Sequence, residues 1–331
     1  MSDVKGRAVR IRGAGGPEVL ELDDDYRTRA PGPGEVRVEV VAAGLNRADC
    51  LQRRGFYPAP PGAPKDIPGL ELAGRVESVG EGVTAWKVGD GVMAITGGGA
   101  MATHVILHER ELVAVPEGLG FEEAAAIPEV FFTAYDALEQ ASLRSGEVLL
   151  VHAIASGVGT AALQLAKAAG AHVVGTSRSA SKLEGCRDLG LDDGLLVDGS
   201  VSFANAVKAV APRGADVILD TIGAKYVAEN LRALAPRGRV VTIGLLGGVK
   251  AELDLGLLLA KRATWSGSVL RARPLEEKAT LAQAVTREML PLFRRQKLRP
   301  IVDAVLPMEE IRAAHERMES NETFGKLVLR W

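Results

Sequence analysis

The sequence of 331 residues is poor in cysteine and nearly balanced in charge. Its two cysteines, Cys50 and Cys186, supply neither a disulfide framework nor a cysteine-rich zinc site. Lysine and arginine total 40 against 42 aspartates and glutamates, which gives a formal net charge of −2. This balance gives no electrostatic reason to expect nucleic acid or an anionic membrane as a partner.

Long apolar runs are also missing. No run approaches the roughly 18 residues that a membrane-spanning helix needs, and the segment 1–7 lacks the apolar core of a signal peptide. Apolar residues make up 47% and charged residues 25% of the chain, which is ordinary for a soluble protein with a substantial core. At about 100–200 residues per domain, the length argues for two domains. We therefore expect a soluble, cytoplasmic protein.

The most informative stretch runs from Val148 to Thr176. It begins with an apolar run rich in β-branched residues, 148–152, which is typical of a buried parallel strand. A turn of small residues follows, and then an apolar pattern at helical spacing that ends at Gly170. A second short strand closes the stretch. The pattern therefore predicts a strand–turn–helix–strand unit.

The turn of this unit favours a bound phosphate. A helix N-terminus has unpaired N–H groups and partial positive charge, which together stabilise an anion. Gly157 and Gly159 have no Cβ atom to hold a pyrophosphate away, and we expect Ser156 and Val158 to contact it as well. The G-x-G-x-x-G fingerprint is incomplete, because Ile154 and Ser156 stand at its first two glycine positions. A tight turn with no ligand is the alternative.

The end of the second strand distinguishes between the two nicotinamide cofactors. An NAD site usually places Asp or Glu there, about 20 residues past the turn, to hold the ribose 2′-hydroxyl. This chain has no carboxylate over 175–182 and carries Ser177, Arg178 and Lys182 instead. A 2′-phosphate requires such donors, and arginine offers it a planar fork. We therefore predict NADPH as the cofactor. The alternative is that Arg178 and Lys182 are only solvent-exposed side chains at the start of a helix.

The remainder of the chain divides into two patterns. Short strands broken by glycine and proline fill roughly the first third, which predicts a small β-barrel or sandwich. Strands and helices alternate after Glu122, which predicts a doubly wound parallel sheet. We therefore expect an α/β protein with a β-rich domain over 1–125, completed by 295–331, and a Rossmann domain over 126–294.

Short motifs along essentially the whole chain resemble one known family. The order of the domains is similar to that of the medium-chain dehydrogenase/reductase superfamily, and within it to the zinc-free quinone oxidoreductases related to ζ-crystallin. The Ser-Gly-Val-Gly form of the turn resembles the subgroup of the tumour-suppressor-induced quinone oxidoreductase. The resemblance implies a GroES-like catalytic domain and a Rossmann NADPH-binding domain. The motifs that carry it are Asn46–Asp49, Pro68–Glu71, Lys87–Asp90, Ala124–Pro128, Ser156–Ala162, Gly267–Arg271 and Gly325–Leu329.

The sequence also indicates whether the protein has the ligands for a zinc ion. Zinc alcohol dehydrogenases of this superfamily have a cysteine near the position of Asn46 and Gly-His-Glu where this chain has Gly69-Leu70-Glu71. Asparagine and leucine do not replace a thiolate and an imidazole as zinc ligands. His104 and His108 fall on a predicted strand, which separates them by about 13 Å. We therefore predict that the protein has no metal site.

The resemblance implies which residues form the active site. Asn46 would be a polar anchor, and Tyr57 would stack on the acceptor or donate a proton to it. The alternatives are a helix cap for Asn46 and an exposed loop aromatic for Tyr57. The resemblance also implies a second group of residues that contact the cofactor: Thr133, Gly244, Leu245, Leu246, Ser268, Leu270, Arg271 and Asn321.

Without a metal to polarise a carbonyl group, we expect hydride transfer to an acceptor that is already electrophilic. The predicted function is therefore that of an NADPH:quinone oxidoreductase acting on small quinones. The alternatives are an enone or enoyl-thioester reductase, although only Lys65 offers positive charge near the loop 58–64, and a non-catalytic NADPH-binding protein. The resemblance further implies a homodimer formed through an edge strand at 263–268, where Trp265 is either an interface or a core residue.

Overall fold

The computed structural model describes residues 2–197 and 202–331, and its contacts divide the chain into two compact units. The first unit contains the residues up to Phe132 together with Leu270–Trp331, and the second unit is Thr133–Val269. Among the described residues, no helix combines the length and apolarity needed to cross a bilayer.

The first unit starts with a strand-rich segment. Its elements are β1 (Val4–Ile11), β2 (Leu20–Thr28), β3 (Glu35–Leu45), α1 (Arg47–Arg53), β4 (Glu71–Val79), β5 (Gly91–Ile95), β6 (His104–His108), β7 (Val113–Ala114) and α2 (Phe121–Ala124).

The second unit alternates between helix and strand. Its elements are α3 (Thr133–Gln140), β8 (Val148–Val151), α4 (Gly157–Ala168), β9 (His172–Ser177), α5 (Ala180–Arg187), β10 (Asp193–Leu196), α6 (Phe203–Val210), β11 (Ala215–Asp220), α7 (Val227–Ala233), β12 (Leu234–Thr242), α8 (Leu255–Lys261) and β13 (Thr264–Gly267).

The C-terminal segment completes the first unit. It contributes α9 (Leu275–Glu288), α10 (Leu290–Arg294), β14 (Val302–Pro307), α11 (Ile311–Ser320) and β15 (Lys326–Arg330).

The boundaries of the two units differ from those that the sequence predicts. Residues 126–132 and 270–294, which we expected in the Rossmann domain, belong to the first unit. Phe131 packs edge-on against Phe293 with ring centroids 5.0 Å apart, and Glu276 of α9 pairs with Arg110 at 2.6 Å. These contacts join segments that are distant in sequence, so no local sequence pattern predicts them.

The first unit is rich in β-strands, as predicted. Its main sheet has the order β14-β15-β3-β4-β5-β7, with β6 pairing along the first half of β3, and β1 and β2 form a separate antiparallel pair. Strands β3, β4, β5 and β15 each contribute a fully buried side chain to one core: Leu45, Leu72, Val92 and Leu327. The C-terminal strand β15 thus pairs with β3 and joins the sheet formed by strands from the N-terminal segment.

The second unit is the predicted doubly wound sheet. Six strands, all parallel, lie in the order β10-β9-β8-β11-β12-β13. Apolar side chains of the four central strands, Leu150, Val174, Ile218 and Val240, are buried in its core. The chain runs outward from β8 on one side and returns to run outward from β11 on the other. In such sheets, ligands bind in the crevice beyond the carboxyl ends of the strands at this reversal.

A buried ion pair links three strands of the first unit. Lys326, at the start of β15, places Nζ 2.6 Å from Oε1 of Glu71, at the start of β4, and both side chains are at most 3% exposed. The ammonium also donates to the carbonyl oxygen of Leu45 at 2.8 Å and to Oδ1 of Asn46 at 2.6 Å. All three donors of Lys326 are therefore satisfied, as a buried cation requires.

Lys326→Met is expected to lower the free energy of unfolding by about 3–5 kcal/mol, because it leaves the buried carboxylate of Glu71 unpaired. The double variant that adds Glu71→Gln should recover most of this loss. Lys5→Met is the control: it breaks the pair with Asp25, which is exposed on both sides, and should cost at most about 1 kcal/mol. Urea denaturation followed by circular dichroism measures all three. Equal losses for Lys326→Met and Lys5→Met would contradict the importance of the buried pair.

Candidate active site

The turn between β8 and α4 is closely packed. Gly159 leaves no room for a side chain, because a Cβ atom there would lie 2.4 Å from the carbonyl oxygen of Ile154. Oγ of Ser156 accepts a hydrogen bond from the N–H of Gly159 at 3.1 Å and caps α4. The small residues 156–159 thus bring the helix N-terminus to the carboxyl end of β8, where the strand order reverses. This is the position at which an anion is stabilised.

Hydroxyl and cationic side chains follow the end of β9. Oγ of Ser177 accepts from the N–H of Ser179 at 3.1 Å, and Ser179 caps α5 by accepting from the N–H of Lys182 at 3.4 Å. Arg178 lies between them and is exposed. No Asp or Glu stands between the end of β9 and Lys182. This set of donors suits a phosphate ester better than a ribose diol.

The other predicted cofactor residues of this unit follow β12 and β13. Gly244 packs on the backbone of Thr221, where a Cβ atom would lie 2.8 Å from the carbonyl oxygen, and Leu245 and Leu246 are more than half exposed. Oγ of Ser268 donates to Oδ2 of Asp136 at 2.6 Å. The residues predicted after β8, β9, β12 and β13 therefore share the carboxyl edge of one parallel sheet. Thr133 stands apart as the first residue of α3.

Three predicted cofactor residues belong to the first unit: Leu270, Arg271 and Asn321. Leu270 is buried. Asn321 ends α11 in a left-handed conformation (φ +62°), and its Oδ1 accepts from Nη2 of Arg47 at 2.7 Å. A cofactor contact from any of the three stays a prediction.

Arg271 holds the loop that carries Tyr57. Its Nη1 donates to the carbonyl oxygen of Tyr57 at 2.9 Å, its Nε donates to that of Gly97 at 2.8 Å, and its Nη2 donates to Oε1 of Gln52. The guanidinium carbon also lies 4.8 Å from the centroid of the Tyr57 ring, within cation–π range. Burial, followed by the negative charge of Glu129, raises the pKa of the Tyr57 hydroxyl. Tyr57 is therefore a neutral, half-buried phenol in a positioned loop.

Asn46 joins the buried ion pair. Its Oδ1 accepts from Lys326 and its Nδ2 donates to Oε1 of Glu71 at 2.8 Å. Its backbone N–H donates to Oδ2 of Asp49 at 2.8 Å, and Oδ1 of Asp49 accepts from the N–H of Gly69 at 2.9 Å. Burial raises the pKa of Asp49 to about 6. The Asn46 side chain thus serves the ion pair, while the Asp49 carboxylate secures the start of α1.

A further acid, Glu129, completes this group. Its backbone N–H donates to Oε2 of Glu71 at 2.7 Å. Its own Oε2 is buried and has no hydrogen-bond partner among the described residues. Burial, followed by the charge of Glu71, raises the pKa of Glu129 to about 8, so the carboxyl group is mostly protonated at pH 7. We call Asp49, Glu71 and Glu129 the buried carboxyl cluster.

Sequence reasoning missed Glu129, although a signal was present. It is the single charged residue in the run Ala124–Phe132, which is otherwise apolar. A lone acid in such a run must be exposed or occupy a special environment. The sequence alone does not show that Glu71, 58 positions earlier, lies beside it.

The residues at the cluster do not fit a zinc ion. The Asn46 amide is engaged with Lys326 and Glu71, Leu70 is buried and apolar, and an ammonium group already neutralises Glu71. His104 and His108 lie at opposite ends of strand β6, as predicted. Within residues 2–197 and 202–331, no group of three His, Cys, Asp or Glu side chains is arranged to hold a metal ion.

Comparison with known proteins matches each domain to a family. Residues 32–117 match the alcohol dehydrogenase GroES-like domain, and residues 157–287 match the zinc-binding dehydrogenase family. A quinone oxidoreductase of Pseudomonas aeruginosa is 36% identical over 98% of this chain and 99% of its own length. The synaptic vesicle membrane protein VAT-1 homolog of Rattus norvegicus is 34% identical over 98% of this chain and 83% of its own length.

Solved structures agree with these relatives. The quinone oxidoreductase of Pseudomonas syringae pv. Tomato DC3000 superposes with a TM-score of 0.88 at 31% identity, covering 98% of this chain and 100% of that one. The CurK enoyl reductase superposes with a TM-score of 0.87 at 29% identity, covering 99% of both chains. With its GroES-like and Rossmann units and its quinone oxidoreductase homologues, the chain belongs to the medium-chain dehydrogenase/reductase superfamily of oxidoreductases.

Proposed function

We propose that this protein is an NADPH-dependent quinone oxidoreductase that transfers a hydride to small quinones without a metal ion. The observation that carries the proposal is the end of β9, where Ser177, Arg178 and Lys182 stand and no carboxylate does. NADPH, when bound, supplies the hydride. The chain's part is to hold the cofactor at the carboxyl edge of the parallel sheet and to position the acceptor.

Different groups of residues suit different parts of the cofactor. The capped N-terminus of α4, residues 156–159, suits the pyrophosphate. Ser177, Arg178 and Lys182 suit the 2′-phosphate. Backbone groups of Gly244–Leu246, with Ser268, suit the nicotinamide amide, because an amide needs both a donor and an acceptor.

The first unit supports an acceptor that needs no Lewis acid. A quinone is electrophilic as it stands, so hydride transfer requires positioning and a proton, not a metal to polarise a carbonyl group. Tyr57 offers a flat ring and a neutral hydroxyl in a loop fixed by Arg271. Asn46 is held by Lys326 and Glu71, which suits a fixed polar anchor.

The assay that tests this function follows the oxidation of NADPH and NADH in the presence of a panel of small quinones and enones. Turnover of a quinone with NADPH at a much higher kcat/KM than with NADH is the expected result. Tight binding of NADPH with no turnover of any acceptor would contradict an oxidoreductase role and favour a non-catalytic NADPH-binding protein.

Arg178→Ala is expected to raise the KM for NADPH by about 10–100-fold, because a charge-assisted hydrogen bond contributes roughly 1.5–3 kcal/mol. The KM for NADH should change less than about twofold, since NADH has no 2′-phosphate. The control is Arg187→Ala, which removes an exposed arginine of α5 that pairs with Glu184. Equal changes for the two cofactors would remove Arg178 from the proposed 2′-phosphate site.

Treatment with EDTA, followed by removal of the chelator, is expected to leave kcat and KM unchanged. The physical reason is that Asn46 and Leu70 stand where the zinc enzymes of the superfamily have ligands, and Lys326 already pairs with the Glu71 carboxylate. Metal analysis of the purified protein provides the control and should find zinc far below one ion per chain. Activity that is lost with EDTA and restored by added zinc would overturn the proposal.

An enone or enoyl-thioester reductase is the second candidate. Its support is the similarity to the CurK enoyl reductase over 99% of the chain. Such a reaction also needs a hydride and a proton, so the same residues would serve it. The panel separates the two candidates by whether the higher kcat/KM belongs to quinones or to enones and enoyl thioesters.

We also propose a homodimer formed through β13. Among the described residues this strand is one of the two edge strands of its sheet, and an open strand edge is a template for pairing with a second copy. Leu255 and Leu259 of the preceding helix α8 are 63% and 76% exposed, which suits an apolar contact next to the paired strands. Location in the cytoplasm and the absence of a nucleic-acid or membrane partner stay predictions.

Light scattering is expected to give the wild-type protein about twice the chain mass of 34.9 kDa. Replacing both Leu255 and Leu259 with lysine should shift the protein towards monomer, because two charges would then be buried at the contact. Val210→Lys on α6, also an exposed apolar residue, is the control and should leave the mass unchanged. A monomeric wild-type protein would contradict this arrangement.

A further inference from the structure

Glu129 lies in an unusual piece of backbone. Residues Pro128–Phe132 form a π-helical turn between α2 and α3. Such turns are rare, and when they occur they are often found at functional sites. The turn directs the N–H of Glu129 to Oε2 of Glu71 at 2.7 Å. Glu129 therefore binds the carboxylate of Glu71 through its backbone N–H, and its own side chain takes no part in this contact.

The side chain of Glu129 has an unsatisfied atom. Its Oε2 is buried without a hydrogen-bond partner among residues 2–197 and 202–331, while the residue as a whole is partly exposed. Buried polar atoms almost always have a partner, so an orphaned one calls for an explanation. A ligand that brings an oxygen to this carboxyl group would provide the missing partner.

The charges around Glu129 favour its neutral form. Burial has the largest effect on its pKa, and Glu71 and Asp49 raise it further, whereas Lys326 and Arg271 lower it. Lys326 is already paired with Glu71, so its charge is largely compensated. The result is a pKa of about 8 and a carboxylic acid that can donate a hydrogen bond at pH 7.

We propose that Glu129 is the proton donor of the reaction, with its carboxyl O–H bound to an oxygen atom of the acceptor. The inference rests on the proposed function and adds a catalytic residue that the sequence did not indicate. Glu129 and Tyr57 are close enough for the charge of one to affect the hydroxyl of the other. Tyr57 then has the role of holding the acceptor ring.

The step balances as a two-electron reduction. The acceptor gains a hydrogen with two electrons from the dihydronicotinamide, whose C–H bond breaks, and the cofactor is oxidised. The O–H bond of Glu129 breaks, and its proton goes to an oxygen of the acceptor, so that a quinone becomes a hydroquinone. Glu129 is left as a carboxylate beside Glu71, and their repulsion favours its reprotonation from water before the next turnover.

The test compares Glu129→Gln with the wild-type protein as a function of pH. Wild-type kcat/KM for the quinone should fall as the pH rises through about 8, because the acid form of Glu129 is lost. Glu129→Gln keeps the size and the backbone contact, but its amide has no acidic proton to transfer. It should lower kcat by about 10²–10⁴-fold, abolish the fall near pH 8 and leave the Kd for NADPH unchanged.

Two further variants separate this role from others. Glu139→Gln changes an exposed acid of α3 and should leave the pH profile unchanged. Tyr57→Phe tests the competing donor, whose raised pKa would place its own fall in rate at a higher pH than that of an ordinary tyrosine. A Glu129→Gln protein that keeps both its rate and the fall near pH 8, or a larger loss in kcat for Tyr57→Phe, would overturn the proposal. If Glu129→Gln does not fold, Glu129→Asp replaces it and should shift the midpoint of the fall; an unshifted midpoint overturns the proposal equally.

A stability measurement tests the neutral acid independently of any turnover. A carboxyl group whose pKa is higher in the folded state than in the unfolded state loses stability as the pH rises between the two values, here from about 4 to about 8. The melting temperature of Glu129→Gln relative to the wild type should therefore increase from pH 5 to pH 9. A constant difference would show an ordinary carboxylate and overturn the inference, whereas failure of the quinone assay alone would overturn only the proposed substrate.

Discussion

The pairing of Lys326 with Glu71 is the constraint on which the first unit depends. Two ions removed from water are stable only if each finds partners, and here the partners come from β3, β4 and β15. Gly44 follows from the same requirement, because a Cβ atom there would lie 2.2 Å from Oε1 of Glu71. The pair also sets the charge next to Glu129, whose N–H binds the same carboxylate. The order of the strands, the glycine at position 44 and the raised pKa of Glu129 are thus linked through one ion pair.

Glu71 and Glu129 show how two identical side chains differ in their environments. Glu71 has a cation and an amide at Oε1 and a backbone N–H at Oε2, so both of its oxygens have partners. The carboxyl group of Glu129 is buried and has a carboxylate neighbour and an unpartnered oxygen, so its pKa is raised and the neutral form is favoured. Burial, neighbouring charges and hydrogen bonds therefore distinguish two identical side chains, one that pairs with a cation and one that we propose as the proton donor, a pattern common at sites of acid–base chemistry.

The sequence predicts the second unit better than the first. The strand, the small-residue turn and the helix over 148–168 follow from local periodicity, and the structure confirms them. The fold class and the superfamily are also confirmed. The boundary at 270 was not predictable, because it depends on pairs such as Arg110 with Glu276. The environment of Glu129 was missed for the same reason: its acidity is a property of neighbours that are distant in sequence.

The arrangement of the first unit has a consequence for the order of synthesis. Glu71 is made long before its counter-ion Lys326, and Tyr57 is made long before Arg271, which fixes its loop. The second unit, by contrast, is continuous from 133 to 269 and can bury its sheet as soon as β13 has emerged. On a ribosome, where domains generally fold as units, the middle of this chain is therefore complete first. The carboxylate of Glu71 must wait unpaired until the segment that carries Lys326 has been made.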